Sequence, residues 1–280
     1  MGEKKITFAN FAKMKREGKK IVMLTAYDYA SATLAQKAGV DIILVGDSLG
    51  NVVLGYDSTL PVTMEDMIHH TKPVVRGADR TTVITDMPFG SFEVSTEQCV
   101  ANAIRIIKET NCDGVKIEGG AERAHLIKAI SDAGIPVCAH IGLTPQFVMQ
   151  LGGFKIQGKT KEAAEKLIND AAALEKAGAK MLVIECVPAE ISALISQKIS
   201  IPTIGIGAGA GCDGQVLVWY DLVNMYDGFK PKFVKHFAQA GKLIQQAYEE
   251  YAAEVRSGVY PAEEHCFAAK IDEEELKKLY

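Results

Sequence analysis

Ionisable side chains follow apolar segments at several places in this chain, and that pattern indicates chemistry. Asp47 and Ser48 come directly after residues 42–46, an uncharged and mostly branched segment typical of a strand buried on both faces. A single acid in such a place often only starts a turn or caps a helix. Here the pattern recurs after four more apolar segments, which end in Asp86, Glu118, His140 and Glu185. The recurrence favours one shared site.

Three of these acids are predicted to lie close together. Asp47, Asp86 and Glu118 lie at the ends of the apolar segments 42–46, 82–86 and 114–118. The carboxyl ends of parallel strands meet at one edge of a sheet. Carboxylates crowded there must share a cation or a proton, because like charges raise one another's pKa. No cysteine or paired histidine accompanies them. The set therefore suits a hard, oxygen-preferring metal, Mg²⁺ before zinc, with Mn²⁺ and Co²⁺ left open.

A metal held by a few carboxylates keeps positions for substrate oxygens. A 2-keto acid offers a carboxylate and a ketone oxygen, which together can chelate such an ion. Lys116 lies two residues before Glu118, so both project to the same side of a strand. Its ammonium group can balance the substrate carboxylate or a developing enolate. An ordinary salt bridge to one of the acids is an alternative role, compatible with the first.

Glu185 ends the sixth apolar segment, across the predicted site from the three acids. A carboxylate in that place is a candidate general base, and a structural ion pair is the alternative. His140 ends the apolar segment 137–140, between Glu118 and Glu185 in the sequence. It either moves a proton or forms a hydrogen bond to the substrate.

The elements that position these residues alternate regularly between strand and helix. Helix-stop glycines at Gly39, Gly134 and Gly178 precede strands, and residues 6–18 predict a short helix that plugs the bottom of a barrel. A long helix is predicted over 231–256. The predicted strands are 21–26, 42–46, 82–86, 114–118, 137–140, 181–185, 201–204 and 215–220. Eight strands in this order predict an α/β fold, the (β/α)₈ TIM barrel.

Composition limits the class of protein. A chain of 280 residues fits a single barrel domain over 1–280, with about 268–280 as an exposed C-terminal tail. The net charge of -4 gives no basic surface for nucleic acid. No apolar run predicts a membrane span or a signal peptide, so we expect a cytoplasmic protein. Six scattered cysteines without a C-x-x-C pair predict reduced thiols.

Six motifs follow one another between residues 6 and 267. They are VGDSLG (45–50), DSTLPVT (57–63), VKIEGG (115–120), HIGLTPQ (140–146), GIGAG (205–209) with DGQ (213–215), and GVYP (258–261) with EH (264–265). Motifs of this length and order are highly specific. Together they resemble the ketopantoate hydroxymethyltransferase family. Residues 223–229 match that family's pattern poorly, and the tail after Phe267 is variable in the family.

The resemblance implies a barrel of the phosphoenolpyruvate mutase and isocitrate lyase type, a bound Mg²⁺, a homodecamer and a cytosolic role in pantothenate synthesis. It implies transfer of a one-carbon unit from 5,10-methylenetetrahydrofolate to 3-methyl-2-oxobutanoate, giving 2-dehydropantoate. By resemblance, Glu185 is the proton acceptor. The family's metal ligands match Asp47, Asp86 and Glu118, and its keto-acid-binding residues match Asp47, Ser48, Asp86 and Lys116.

Two other functions compete with this one. A C–C lyase or mutase of the same superfamily would act on another 2-keto acid, but those enzymes carry a reactive cysteine in a K-K-C-G-H type loop that has no counterpart here. A non-catalytic keto-acid-binding protein is the other alternative. It would not need the full set of five ionisable residues at the strand ends.

Overall fold

Eight parallel strands close into a barrel in this computed structural model, which describes residues 5–226, 228 and 230–279. Each strand pairs with the next along the chain, and β8 pairs with β1. The strands are β1 Ile21–Thr25, β2 Ile42–Val45, β3 Thr82–Asp86, β4 Gly114–Glu118, β5 Val137–Gly142, β6 Met181–Glu185, β7 Thr203–Ile206 and β8 Gly214–Leu217. The (β/α)₈ fold predicted from the sequence is confirmed.

Helices follow most of the strands. Three short 3₁₀ turns, Ala121–Arg123, Pro145–Phe147 and Glu263–His265, lie between them. The helices are α1 Phe8–Arg16, α2 Tyr29–Lys37, α3 Leu49–Val52, α4 Met64–Gly77, α5 Thr96–Thr110, α6 Ala124–Asp132, α7 Val148–Leu151, α8 Lys161–Lys176, α9 Ala189–Lys198, α10 Trp219–Leu222, α11 Ala240–Ser257 and α12 Glu273–Lys277. The predicted helix stops Gly39, Gly134 and Gly178 all have positive φ, which a glycine adopts without a steric penalty.

The two-residue period of the strands divides the core into an inner and an outer layer. Side chains such as Ile84, Cys138 and Met181 pack inside the barrel, whereas Val83 and Val115 belong to the layer shared with the helices. Every residue of β2, β3 and β4 is buried, as expected for parallel strands covered on both sides. The same period directs Asp86, two residues after Ile84, toward the barrel interior.

Helix α1 closes the amino-terminal end of the barrel, as predicted. Phe11 is fully buried among the inner side chains, with Phe8 and Met14 packed against the same cluster. The side chain of Lys15 anchors α1 to residues that follow β6 and β7. Its Nζ donates to the carbonyl oxygens of Ser196 and Ile201, at 2.8 and 2.9 Å, and forms a 2.8 Å ion pair with Asp213.

Two predicted elements begin later than expected. β7 starts at Thr203 rather than at residue 201, because Pro202 has no N–H to donate to the strand ladder. Helix α11 starts at Ala240 rather than at 231. The N–H groups of Ala240 and Gly241 donate to the carbonyl oxygens of Val223 and Asn224, so no earlier helical turn is needed to pair with them.

The contacts group the chain into two compact units. One takes the described residues up to Leu222 together with Lys230–Lys235, and the other takes those of Val223–Phe229 and His236–Tyr280. The second unit contains α11 and α12, neither of which has a buried residue. A single domain over 1–280 with an exposed tail stays a prediction. No helix in the described part of the chain is long and apolar enough to cross a membrane.

We expect Lys15→Met to lower the free energy of unfolding by about 1–3 kcal/mol, because Asp213 loses its cation and two carbonyl groups lose a donor. Urea denaturation measures the change. Lys13→Met on the same helix is the matched control. Its ion pair with Glu17 is exposed, so a change within about 0.5 kcal/mol is expected there. Equal stability of the two variants would contradict the role of Lys15.

Candidate active site

Four of the predicted site residues meet at the carboxyl ends of β2, β3 and β4. The backbone N–H of Asp47 donates to Oδ2 of Asp86 at 3.0 Å. Nζ of Lys116 lies 3.0 Å from Oδ1 of Asp86 and 3.5 Å from Oε1 of Glu118. The strand register produces this arrangement, since Asp86 and Lys116 are directly paired across β3 and β4. All four side chains are buried.

His140 connects this acidic cluster to Glu185. Its Nδ1 lies 3.2 Å from Oε1 of Glu118 and 3.3 Å from Nζ of Lys116. On the other side of the ring, Nε2 lies 3.2 Å from Oε2 of Glu185. The Glu185 side chain is 16% exposed and that of Glu118 only 2%. Glu185 is therefore the acid that an incoming molecule reaches most easily.

Burial and mutual repulsion shift the pKa values of the cluster. Burial, with Asp86 and Glu118 nearby, raises the pKa of Asp47 well above its usual range. Burial also raises the pKa of Asp86, although Lys116 opposes this. For Glu118 burial is outweighed by Lys116 and His140, which hold its pKa low. Without a further cation, the two aspartates therefore favour sharing protons.

The two cationic side chains are stabilised by the same acids. Burial disfavours a charged Lys116, yet Asp86, Glu118 and Asp47 raise its pKa above the usual range. Burial and Lys116 also oppose protonation of His140, but Glu118 and Glu185 raise its pKa to about 9. The surrounding acids thus favour the protonated forms of Lys116 and His140. Each balances part of the buried negative charge.

The donor set fits a hard divalent cation. Oδ1 of Asp86 and Oε1 of Gln146 are buried oxygen atoms that accept no hydrogen bond, although Oδ1 is in ion-pair range of Lys116. Carboxylate and amide oxygens are the ligands that Mg²⁺ prefers. Within the described residues, however, no three His, Cys, Asp or Glu side chains form a ready metal-ligand group. Metal ligation by Asp47, Asp86 and Glu118 therefore stays a prediction.

Ser48 is held at the edge of the cluster by a residue that the sequence did not indicate. The hydroxyl groups of Ser48 and Tyr27 are 2.9 Å apart, and Tyr27 is almost completely buried. Gly46 makes room for this contact, because a Cβ atom at that position would lie 2.9 Å from Oγ of Ser48. Tyr27 follows the first strand directly, but nothing in its sequence neighbourhood distinguishes it from a packing tyrosine.

Gln146 is the second residue without an assigned role in the sequence analysis. Its Nε2 donates to Oδ2 of Asp47 at 2.8 Å and to the carbonyl oxygen of Met87 at 2.9 Å. Its backbone N–H donates to Oε2 of Glu118 at 3.1 Å. The only signal in the sequence was its place in the HIGLTPQ motif, because contacts 99 residues apart are invisible to local patterns.

Known proteins with similar sequences and folds point to one family. Residues 5–263 match the family model of ketopantoate hydroxymethyltransferase. A 3-methyl-2-oxobutanoate hydroxymethyltransferase from Heliobacterium modesticaldum is 57% identical over 277 residues, 99% of this chain and 99% of that one. Among solved structures, 2,3-dimethylmalate lyase, a PEP mutase/isocitrate lyase superfamily member, has a TM-score of 0.59 at 17% identity, covering 98% of this chain and 94% of the other.

A complex of phosphonopyruvate hydrolase with oxalate and Mg²⁺ has the same fold, with a TM-score of 0.60 at 12% identity over 95% of this chain and 93% of that one. The closed parallel barrel has the same fold as a member of the phosphoenolpyruvate mutase and isocitrate lyase superfamily. The chain itself belongs to the ketopantoate hydroxymethyltransferase family.

We expect Lys116→Met to lower the free energy of unfolding by about 3 kcal/mol or more, because it leaves buried carboxylates without their cation. The loss should grow as the pH rises, because Lys116 lowers the pKa of Asp47 and Asp86 and its removal raises both further. Acids whose pKa is raised in the folded state stabilise it when protonated, and this contribution disappears as the pH rises through the raised pKa.

Denaturant titrations at several pH values measure this change. Lys128→Met is the control, since its ion pair with Asp132 is exposed on both sides and should contribute about 0.5 kcal/mol or less. A pH-independent loss for Lys116→Met would show that its charge is not what stabilises the site.

Proposed function

We propose that this protein transfers a one-carbon unit from 5,10-methylenetetrahydrofolate to 3-methyl-2-oxobutanoate, giving 2-dehydropantoate and tetrahydrofolate in pantothenate biosynthesis. The observation that carries this proposal is the buried group of Asp47, Asp86, Lys116 and Glu118, which His140 connects to the more open Glu185. Membership of the family supports it. So does the similarity, over nearly the whole chain, to a relative named 3-methyl-2-oxobutanoate hydroxymethyltransferase.

The acidic cluster is the proposed binding site for the keto acid and for Mg²⁺. Asp47, Asp86 and Glu118 would hold the ion, which supplies a Lewis acid for the ketone when it is bound. Lys116 provides a fixed positive charge beside these acids, suited to the substrate carboxylate. Ser48, oriented by Tyr27, offers a hydroxyl group at the edge of the same site. The fold relative that was solved with oxalate and Mg²⁺ is consistent with this ligand chemistry.

Glu185 is the proposed base that removes the proton from C3 of the keto acid. Its Oε2 lies 3.2 Å from Nε2 of His140, and its other oxygen is left for the proton of the substrate. As the C3–H bond breaks, charge moves to the ketone oxygen, where the ammonium of Lys116 stabilises it. The C3 carbon then bonds to the methylene carbon of the folate, and water supplies the hydroxyl group. Both C–N bonds of that methylene carbon break, the proton taken from C3 and one proton of the water go to the two folate nitrogen atoms, and tetrahydrofolate leaves.

The proposal extends to assembly and location. The resemblance implies a homodecamer, and the exposed Leu243, Tyr248 and Tyr251 of α11 support an association surface. Six free cysteines agree with a reducing cytoplasm.

Light scattering should give a mass of about ten chains for the purified protein. Closed symmetry of a homo-oligomer predicts one discrete mass across the micromolar range rather than a gradual increase with concentration. A stable monomer under these conditions would contradict the decamer and leave the proposed reaction in place.

Glu185→Gln tests the assignment of the base. The amide keeps the shape and hydrogen-bonding capacity of the side chain but cannot accept the proton, so turnover should fall by about 10²-fold or more while keto-acid binding persists. Glu190→Gln, on the exposed first turn of α9, is the matched control and should behave like the parent.

Proton NMR in D₂O isolates the proton transfer from the folate step. With keto acid and Mg²⁺ but no folate, the parent should exchange the C3 hydrogen for deuterium, and Glu185→Gln should not. Exchange by the variant at the parent's rate, with keto acid bound, would exclude Glu185 as the base. His140 would then be tested next.

A further inference from the structure

Gln146 forms hydrogen bonds to two acids of the site, Asp47 and Glu118. It lies in the 3₁₀ turn Pro145–Phe147 after β5 and is only 2% exposed. It donates three hydrogen bonds. Nε2 donates to Oδ2 of Asp47 and to the carbonyl oxygen of Met87, and the backbone N–H donates to Oε2 of Glu118. One side chain and its own backbone therefore hold two of the acids by defined oxygen atoms.

The orientation of the Gln146 amide follows from its partners. Nε2 faces the carbonyl oxygen of Met87, which can only accept a hydrogen bond, and Oδ2 of Asp47, which does the same when this acid is ionised. A flipped amide would place its carbonyl oxygen against that of Met87, whatever the charge of Asp47. The orientation with Nε2 toward Asp47 is the one that forms hydrogen bonds, and it leaves Oε1 buried with no donor.

Burying a carbonyl oxygen without a donor destabilises the folded protein, so such a group calls for a physical reason. Oδ1 of Asp86 in the same cluster also accepts no hydrogen bond, but it lies 3.0 Å from Nζ of Lys116 and so already faces a positive charge. Asp86 is connected to Gln146 through Asp47, whose N–H donates to the other oxygen of Asp86. The unpaired Oε1 of Gln146 beside three acids indicates a ligand that carries positive charge and O–H donors. A hydrated divalent cation has both properties.

We propose that Gln146 is a positioning residue for the metal site. By donating to Asp47 and Glu118 it fixes the rotation of both carboxylates, and its Oε1 is the acceptor for a water molecule carried by the cation. This inference rests on the proposed function, because it assumes that the acidic cluster binds Mg²⁺. Outer groups that orient metal ligands typically change metal affinity by about 10- to 100-fold when they are removed.

Mn²⁺ is the probe, since electron paramagnetic resonance measures its unbound concentration directly. Gln146→Met keeps the length of the side chain and removes the side-chain donor to Asp47 and the acceptor Oε1, while the backbone N–H that donates to Glu118 stays. We expect its dissociation constant for Mn²⁺ to rise by about tenfold or more. Gln150→Met is the matched control, because Gln150 is an exposed glutamine in α7, four residues further along the chain, and this variant should bind Mn²⁺ as the parent does.

A second readout separates positioning from a general loss of structure. If Gln146 acts through the metal, a saturating concentration of Mg²⁺ should restore most of the turnover of Gln146→Met, whereas a distorted site would stay slow. Gln146→Asn serves if the methionine variant does not fold, because the shortened amide can no longer reach Asp47. It should show the same loss of Mn²⁺ affinity.

The outcomes distinguish this inference from the proposed function. A folded Gln146 variant that binds Mn²⁺ within about twofold of the parent would overturn the positioning role alone. So would a slow turnover that excess Mg²⁺ leaves unchanged. A parent protein that binds neither Mn²⁺ nor Mg²⁺ would overturn the metal site itself, and the role of Gln146 with it.

Discussion

The burial of three carboxylates around one ammonium group is the constraint on which the rest of this structure depends. Such charges lose several kilocalories per mole each when they leave water, and only close partners compensate. Lys116 meets this need because it shares β4 with Glu118 and pairs in register with Asp86. A slip of one residue in β4 would turn Lys116 and Glu118 toward the helices and leave Asp86 without its cation.

The sequence predicted the parts of the site that lie on strands. Apolar segments ending in acids identified Asp47, Asp86, Glu118 and Glu185, because the two-residue period and the common edge of a parallel sheet already determine where such side chains go. The structure brings these acids together with Lys116 and His140. Their roles as metal ligands and base remain proposals.

The sequence could not predict the residues that reach the site from loops or through long-range contacts. Gln146 contacts Asp47 across 99 positions and Tyr27 contacts Ser48 across 21, and no local period encodes either distance. The starts of β7 and α11 were misplaced for related reasons. At β7, Pro202 has no N–H to donate to the neighbouring strand. At α11, the first N–H groups donate to the carbonyl oxygens of Val223 and Asn224 instead of to an earlier helical turn.

The attachment of α1 has a consequence for the order in which the chain can fold. Lys15 bonds to Ser196, Ile201 and Asp213, between 181 and 198 residues further along the chain. During synthesis α1 leaves the ribosome before the barrel does, yet its contact with Asp213 can form only when seven of the eight strands have followed. Until then Phe11 has no complete cavity to enter. Helix α1 is therefore made early but packs late. Until it packs, the apolar side chain of Phe11 stays exposed on the nascent chain and can promote aggregation.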